Sequence, residues 1–154
     1  MSEIYLVRHA KAGERRLWTG NDMDRPLSKK GRKQSAAVAH KLRKKATVLL
    51  SSPYVRCIET LEPLAALLDS EVEIEQRLCE DEPVGPLLTL ISEAPSGAVL
   101  CSHGDLIPAA ITALKKDGAE LRGKKDWRKA SVWVLKRNKH GRIVRATNWP
   151  PPTL

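Results

Sequence analysis

The chain has 154 residues, with 27 Lys plus Arg against 18 Asp plus Glu, a formal charge of +9, 4% aromatic residues and no Phe. At about 150 residues per domain this length corresponds to one domain, with a core large enough to stand without a disulfide or structural metal. Cysteines at 57, 79 and 101 form no CxxC pair, which excludes a disulfide framework and a zinc ribbon and fits a reducing cytoplasm, while Arg8 interrupts the first apolar stretch too early for a signal-peptide core or a membrane span.

Apolar, β-branched segments alternate with helical patterns along the chain, the signature of an α/β fold on a mostly parallel sheet. Ile4 to Val7 is the first predicted strand, followed by a polar loop to about Leu27. Ser28 can cap a helix on which Gly31, Ser35, Val38 and Leu42 recur at helical spacing. Thr47 to Leu50 reads as a second strand. Pro53 suits the first turn of the next helix, whose buried stripe would be Ile58, Leu61, Ala65 and Leu68 and which Pro63 should kink or split. Val72 to Ile74 is a short strand and Leu87 to Glu93 a short helix. Ala98 to Cys101 has the continuous apolar run of a central strand, and a helix follows from near Asp105 to about Lys116. Beyond a charged loop, Ser131 to Leu135 and Ile143 to Ala146 are expected to form a hairpin around Asn138 to Gly141. Residues 1–154 are thus expected to be a single domain, with a Pro-rich tail from about residue 149 that cannot enter a sheet centre and lies on the surface.

The charge is strongly polarised. Residues 1–45 carry +9, residues 46–114 carry −9 and residues 115–154 carry +9. Clustered cations are the footprint of nucleic-acid binding, but much of the first block (Lys29, Lys30, Arg32, Lys33, Lys41, Arg43, Lys44 and Lys45) reads as the solvated outer face of one helix. Four Trp and two Tyr leave few aromatics for stacking on single strands. A nucleic-acid partner is therefore not the expectation.

Ligands of open α/β sheets bind beyond the carboxyl ends of the strands. Arg8 and His9 follow the first strand, and Ser102-His103-Gly104-Asp105 follows the strand ending near Cys101. Arg56 lies one turn into the helix after the second strand, and Glu80 lies in the loop after the third. Two His and two Arg would thus meet at one sheet edge with a carboxylate nearby. Phosphoryl transfer calls for such a set: a nucleophile, positive charge around the equatorial oxygens and a proton for the departing group. Flanking guanidiniums keep an imidazole neutral and offer bidentate forks to phosphate. The set needs no metal or cofactor, and the chain has no HxH or HExxH cluster. His40 and His140 fall on the basic helix and in the hairpin turn and read as solvent-facing.

The segments LVRHAKA at 6–12, RPLSKKGRKQ at 25–34, SSPYVRCIET at 51–60 and CSHGD at 101–105 together resemble the histidine phosphatase superfamily. The small size is similar to the SixA-type phosphohistidine phosphatases, and several stretches are similar to the phosphatase domain that some bacteria fuse to a Nudix hydrolase. The resemblance implies a three-layer α/β/α fold like that of phosphoglycerate mutase. It further implies that His9 is the nucleophile, that Arg8, Arg56 and His103 hold the phosphoryl oxygens, and that Glu80 is the general acid or base. Asp81 and Glu82 follow at once, so a one-residue loop shift would exchange Glu80 for a neighbour. Ala10 stands where the superfamily usually has Gly, narrowing the room beside the nucleophile. His103, absent from some of the Nudix-fused relatives, is present, which fits a competent catalyst.

The implied activity is metal-independent hydrolysis of a phosphorylated substrate, with phosphohistidine on a protein first and small phosphate esters or nucleotides second. A mutase is disfavoured because 154 residues leave little room for closing segments. A non-catalytic basic binding module is the alternative from another class, and it has no use for a nucleophile. Lys11, Arg15 and Arg16 either contact a second phosphate or are solvated loop cations. Trp18-Thr19-Gly20 either touches substrate or anchors its loop. The three cysteines read as packing residues.

Overall fold

The computed structural model describes residues 1–154 and contains a seven-stranded mixed sheet with four helices. Strand β1 (Ser2–Arg8) exceeds the expected Ile4 to Val7 at both ends. Its side chains are buried on both faces, as a central strand requires. Ile4 and Leu6 enter one apolar core, whereas Tyr5 and Val7 enter the other.

Helix α1 (Lys29–Leu42) starts where Ser28 Oγ accepts the Gly31 amide at 3.0 Å. Strand β2 (Leu49–Ser51) begins two residues later than the alternation suggests. Thr47 instead donates its amide to Gly97 O in a connecting turn, and the ladder starts at Leu49, flanked by Val72 and Val99. Helix α2 (Val55–Leu68) leaves Pro53 outside, because Tyr54 is the extended capping residue and its amide is taken by Ser52 Oγ. Pro63 does not split it. A proline forfeits one backbone bond, while buried Leu61, Leu64 and Ala65 around it hold the helix on the sheet. The buried stripe is also rotated from the expected one. Arg56, Cys57, Thr60, Leu61, Leu64 and Ala65 face inward, and Ile58 and Leu68 are half-buried.

Strand β3 (Val72–Ile74) is as expected. Helix α3 (Val84–Glu93) starts three residues before Leu87, since Pro86 falls in a first turn whose amides have no helical partner. Strand β4 (Val99–Ser102) and helix α4 (Leu106–Lys116) lie within a residue or so of expectation. The supposed charged loop contains strand β5 (Glu120–Arg122). Its alternating charges hide a single inward Leu121, which leaves little apolar pattern to read. Strands β6 (Val132–Arg137) and β7 (Ile143–Trp149) form the C-terminal hairpin, closed by the Asn138 amide donating to Arg142 O. Trp149, expected in the surface tail, instead ends β7 opposite Val132, and only the residues from Pro150 leave the sheet. Proline lacks the amide that another rung would need.

The sheet order is β3-β2-β4-β1-β6-β7-β5, in which only β6 runs against the others. α1 and α2 cover the face of Tyr5 and Val7, and α3 and α4 cover the face of Ile4 and Leu6, giving three layers. This order has an electrostatic result. The acidic middle of the chain supplies β2, β3, β4 and helices α2 to α4, and the two basic thirds supply β1, α1 and β5 to β7. The pairing of β1 with β4 is therefore a seam between halves of opposite charge.

Candidate active site

Parallel pairing puts the ends of β1, β2 and β4 on one edge, with Arg8 level with Ser102 and Ser51 level with Cys101. The chain continues from these ends into His9, Ser52 and His103. Backbone bonds fix the crossing, since His9 N donates to Ser102 O at 3.1 Å and Arg8 N donates to Ser131 O at 3.1 Å. The next residue is stapled to α2: Ala10 N donates to Thr60 Oγ1 at 2.9 Å, and that hydroxyl donates to Arg56 O at 2.7 Å. One side chain thereby couples the backbones that carry His9 and Arg56.

His9 is 5% exposed, and its Nδ1 lies 2.8 Å from Ala10 O. A carbonyl only accepts, so Nδ1 carries the hydrogen and the Nε2 lone pair is free. Burial foremost pushes its pKa well below the usual histidine value; the Ala10 carbonyl pulls upward, and His103, Arg56 and Arg8 each add to the lowering. His9 is thus a neutral imidazole held in one tautomer.

Around it stand three cationic or polar partners. Arg8 donates from Nη1 to Trp127 O at 2.6 Å and lies flat over Gly104, where a Cβ would meet its Cζ at 2.7 Å. Arg56 is 1% exposed, with its guanidinium 4.7 Å from the Tyr54 ring and Nη2 3.3 Å from Asp22 Oδ2 and 3.4 Å from Glu80 Oε1. His103 is 1% exposed, its ring 5.5 Å from that of His9 and edge-on to Tyr54 at 4.8 Å. Its Nε2 is 2.8 Å from Ser52 Oγ, and its Nδ1 is 4.0 Å from Glu80 Oε1. Three buried nitrogens here, Arg8 Nε, Arg56 Nε and His103 Nδ1, have no hydrogen-bond partner. Buried polar atoms are nearly always paired, so three unpartnered nitrogens on cationic or imidazole side chains around one site suit anionic oxygens as the missing partners.

Glu80 Oε1 touches Arg56, His103 and, at 3.9 Å, Arg15. The next residue turns away, because Asp81 adopts φ +69° and gives its amide to Asp105 Oδ2 at 2.9 Å. Of the three consecutive acids, Glu80 is the one these contacts bring to the histidines. The five predicted site residues are thus together on one edge; Arg8, His9, Arg56 and Glu80 line a pocket with a volume of about 480 Å³, and His103 lies buried behind them. Lys11 and Arg15 line it. Arg16 does not and pairs instead with Glu14 at 2.9 Å. The cations of α1 are exposed, as are His40 and His140, and all three cysteines are buried thiols. No group of three or more His, Cys, Asp or Glu is placed to hold a metal ion, and no helix is long and apolar enough to cross a membrane.

Several contributors were not visible in sequence. Asp22 binds Arg25 at 3.0 Å as well as Arg56; burial raises its pKa, but Arg25, Arg56 and Arg15 outweigh this and hold it below the usual carboxylate value. Lys129 lines the pocket, with its pKa lowered by burial and by Arg8, Arg25, Lys11 and Arg56. Ser52 and Thr60 orient His103 and the His9 loop. Both lie within SSPYVRCIET, so that segment carries three functional contacts rather than one.

The sequence model of the histidine phosphatase superfamily (branch 1) matches residues 4–82. An 8-oxo-(d)GTP phosphatase of Mycolicibacterium smegmatis is 36% identical over 97% of this chain, and the chain spans 48% of that protein's length. A transcription factor tau 55 kDa subunit of Saccharomyces cerevisiae is 33% identical over 52% of the chain, which covers 21% of that protein. Among solved structures, the protein histidine phosphatase SixA complexed with tungstate superposes with TM-score 0.72 at 22% identity, covering 96% of this chain and 94% of that one. A mycobacterial glucosyl-3-phosphoglycerate phosphatase superposes with TM-score 0.69 at 19% identity, covering 98% and 99%. At these identities the structural likeness speaks for the phosphoglycerate mutase-like fold.

Proposed function

We propose that the chain, which belongs to the histidine phosphatase superfamily (branch 1), is a phosphatase that works without a metal, through a phosphoryl group carried on His9 Nε2. The supporting observation is the tautomer of His9: Nδ1 is committed to Ala10 O, so the other nitrogen presents a lone pair beside three unpartnered buried nitrogens. In the first step Nε2 attacks phosphorus and the bond to the leaving oxygen breaks, with Glu80 giving that oxygen a proton. Arg8, Arg56 and His103 carry the charge on the three equatorial oxygens. In the second step water attacks the phosphohistidine, Glu80 takes its proton, and His9 and inorganic phosphate separate.

Small phosphate esters or anhydrides, nucleotides among them, are the substrate class these contacts favour. A carboxylate within 4.0 Å of His103 serves a leaving oxygen that needs a proton, and Lys11, Arg15 and Lys129 extend the positive lining past a single phosphoryl group. The 8-oxo-(d)GTP phosphatase relative supports the same reading. Phosphohistidine on a protein, the first expectation from sequence, is the second reading, favoured by the match to SixA along nearly the whole length of both chains.

Rapid denaturation during turnover of a labelled phosphate donor should trap acid-labile, alkali-stable label in the wild type and none in His9→Ala. Turnover that persists in His9→Ala would sink the mechanism. Glu80→Gln separates the substrate classes. Loss of about 100-fold in kcat on an ester with phosphohistidine hydrolysis spared identifies the carboxylate as acid for oxygen leaving groups, whereas equal losses on both substrates remove that distinction.

A further inference from the structure

A second, smaller depression opens beside the catalytic pocket. It has a volume of about 180 Å³ and is lined by Gly13, Leu17, Trp18, Pro26 and Leu27, with Glu14 and Arg25 at its rim. Gly13, Glu14 and Arg25 line the catalytic pocket too, so the two hollows adjoin across a shared wall. The first is charged and the second apolar. Leu17 is 70% exposed and Trp18 38% exposed, which puts large apolar surface in water next to a phosphate-binding pocket.

Trp18 is not a loose loop residue. Its Nε1 donates to Asn21 O at 2.7 Å, and its indole lies against Gly20, where a Cβ would stand 3.3 Å from the ring. Asn21 caps the following turn by accepting the Met23 amide at 2.9 Å, and within that turn Asp22 accepts from Arg56 at 3.1 Å through its carbonyl. The ring is thereby fixed, through one tight turn, to the arginine that contacts Glu80 in the pocket. A rigid indole with accessible ring surface is a stacking platform.

We infer that this hollow binds the base of a nucleotide substrate, with Trp18 as the stacking and specificity-determining residue. The inference rests on the phosphatase reading above and deepens it by naming the substrate. A spacer between phosphate and ring is required by size. The catalytic pocket, at about 480 Å³, is several times larger than one phosphoryl group, since a water takes about 30 Å³. A ring bonded directly to the reacting phosphate, as in phosphotyrosine, would stay in the charged hollow. A sugar with one or more further phosphates spans it, with Lys11 and Lys129 facing the additional charge.

The test compares kcat/KM for a nucleoside diphosphate, glycerol phosphate and a phosphotyrosine peptide in the wild type, Trp18→Ala and Trp18→Phe. Stacking of a base on an aromatic side chain corresponds to about 5- to 100-fold. The expected result is a fall of that size in the nucleotide-to-glycerol-phosphate ratio for Trp18→Ala, mostly in KM, with Trp18→Phe recovering most of it. An unchanged ratio, or an equal loss on the phosphotyrosine peptide, overturns the inference. Binding of a nucleoside monophosphate to His9→Ala, followed by quenching of tryptophan fluorescence, is read without turnover. Quenching that disappears in His9→Ala/Trp18→Phe supports the base site even if the phosphohistidine mechanism fails, and no quenching in His9→Ala refutes it.

Discussion

Gly104→Ala isolates the contribution of Arg8 without touching a charge. Gly104 does not have a left-handed φ, so alanine is allowed by the backbone and the whole effect comes from contact. A Cβ there would lie 2.7 Å from Arg8 Cζ and Nη2 and 2.9 Å from Nε. Carbon contacts settle at about 3.5 Å or more, so the guanidinium must retreat by about 0.8 Å. That motion strains the 2.6 Å bond from Nη1 to Trp127 O. A misplacement of about 1 Å in a catalytic site costs about 100-fold, and this is the expected fall in kcat/KM on a phosphate ester, with weaker inhibition by inorganic phosphate. Stability should change little. Loss of a charged hydrogen bond costs up to about 2 kcal/mol, offset by about 0.4–1 kcal/mol from a stiffer unfolded chain. The net corresponds to a Tm about 2–6 °C lower. Gly85→Ala is the control, because nothing lies within 4 Å of a Cβ at that position in α3. A Gly104→Ala enzyme within about threefold of wild type would refute the role assigned to the Arg8 position. So would a Tm collapse large enough to account for the lost activity.

Two other perturbations follow from the same contacts. Folding holds the His9 pKa below its unfolded value, chiefly by burial, so below about pH 6.5 the unfolded chain takes up a proton that the folded chain refuses. The stability His9 contributes is present above that pH and lost as pH falls, at up to about 1.4 kcal/mol per pH unit. Urea midpoints measured from pH 7 to pH 5 should therefore fall more steeply for the wild type than for His9→Asn, and parallel curves would show that burial does not perturb His9. Gly31→Ala attacks the fold away from the reacting atoms. Its Cβ would stand 1.9 Å from Lys11 O, a backbone overlap worth about 3 kcal/mol, and a thermal melt should show Tm about 6–12 °C lower. A drop below about 2 °C would mean that α1 can slide away from the loop after β1.

The site residues were legible because their chemistry recurs at strand ends that parallel pairing brings level, and four of them sit within short segments of strong pattern. Glu80 was harder, since nothing in three consecutive acids says which faces the histidines; the φ of Asp81 decides it. Thr60, Ser52 and Asp22 were missed for a common reason: each acts by hydrogen-bonding a group distant in sequence, and a hydroxyl or a loop carboxylate carries no periodic signal. The misplaced helix edges share another cause. Pro53 and Pro63 were read by propensity alone, and the helix expected from Leu87 left Pro86 outside, whereas a proline's effect depends on whether a helical partner exists at that turn. Strand β5 escaped because a parallel edge strand of three residues with one inward apolar side chain looks like a loop.

The seam between β1 and β4 gives the pocket two unlike walls. Arg8, Lys11, Arg15, Arg25 and Lys129 outnumber Glu14 on the flank from the basic thirds of the chain, whereas Glu80 and Asp105 outnumber Arg56 on the flank from the acidic middle. An anion arriving within a Debye length of about 8 Å at physiological salt is drawn by one flank and pushed by the other. It is turned as well as attracted. Its most negative end swings over the β1 side, away from Glu80 and Asp105. The alternation of charge along the chain thus acts as a compass for the substrate, settling its heading before any hydrogen bond to the arginines forms.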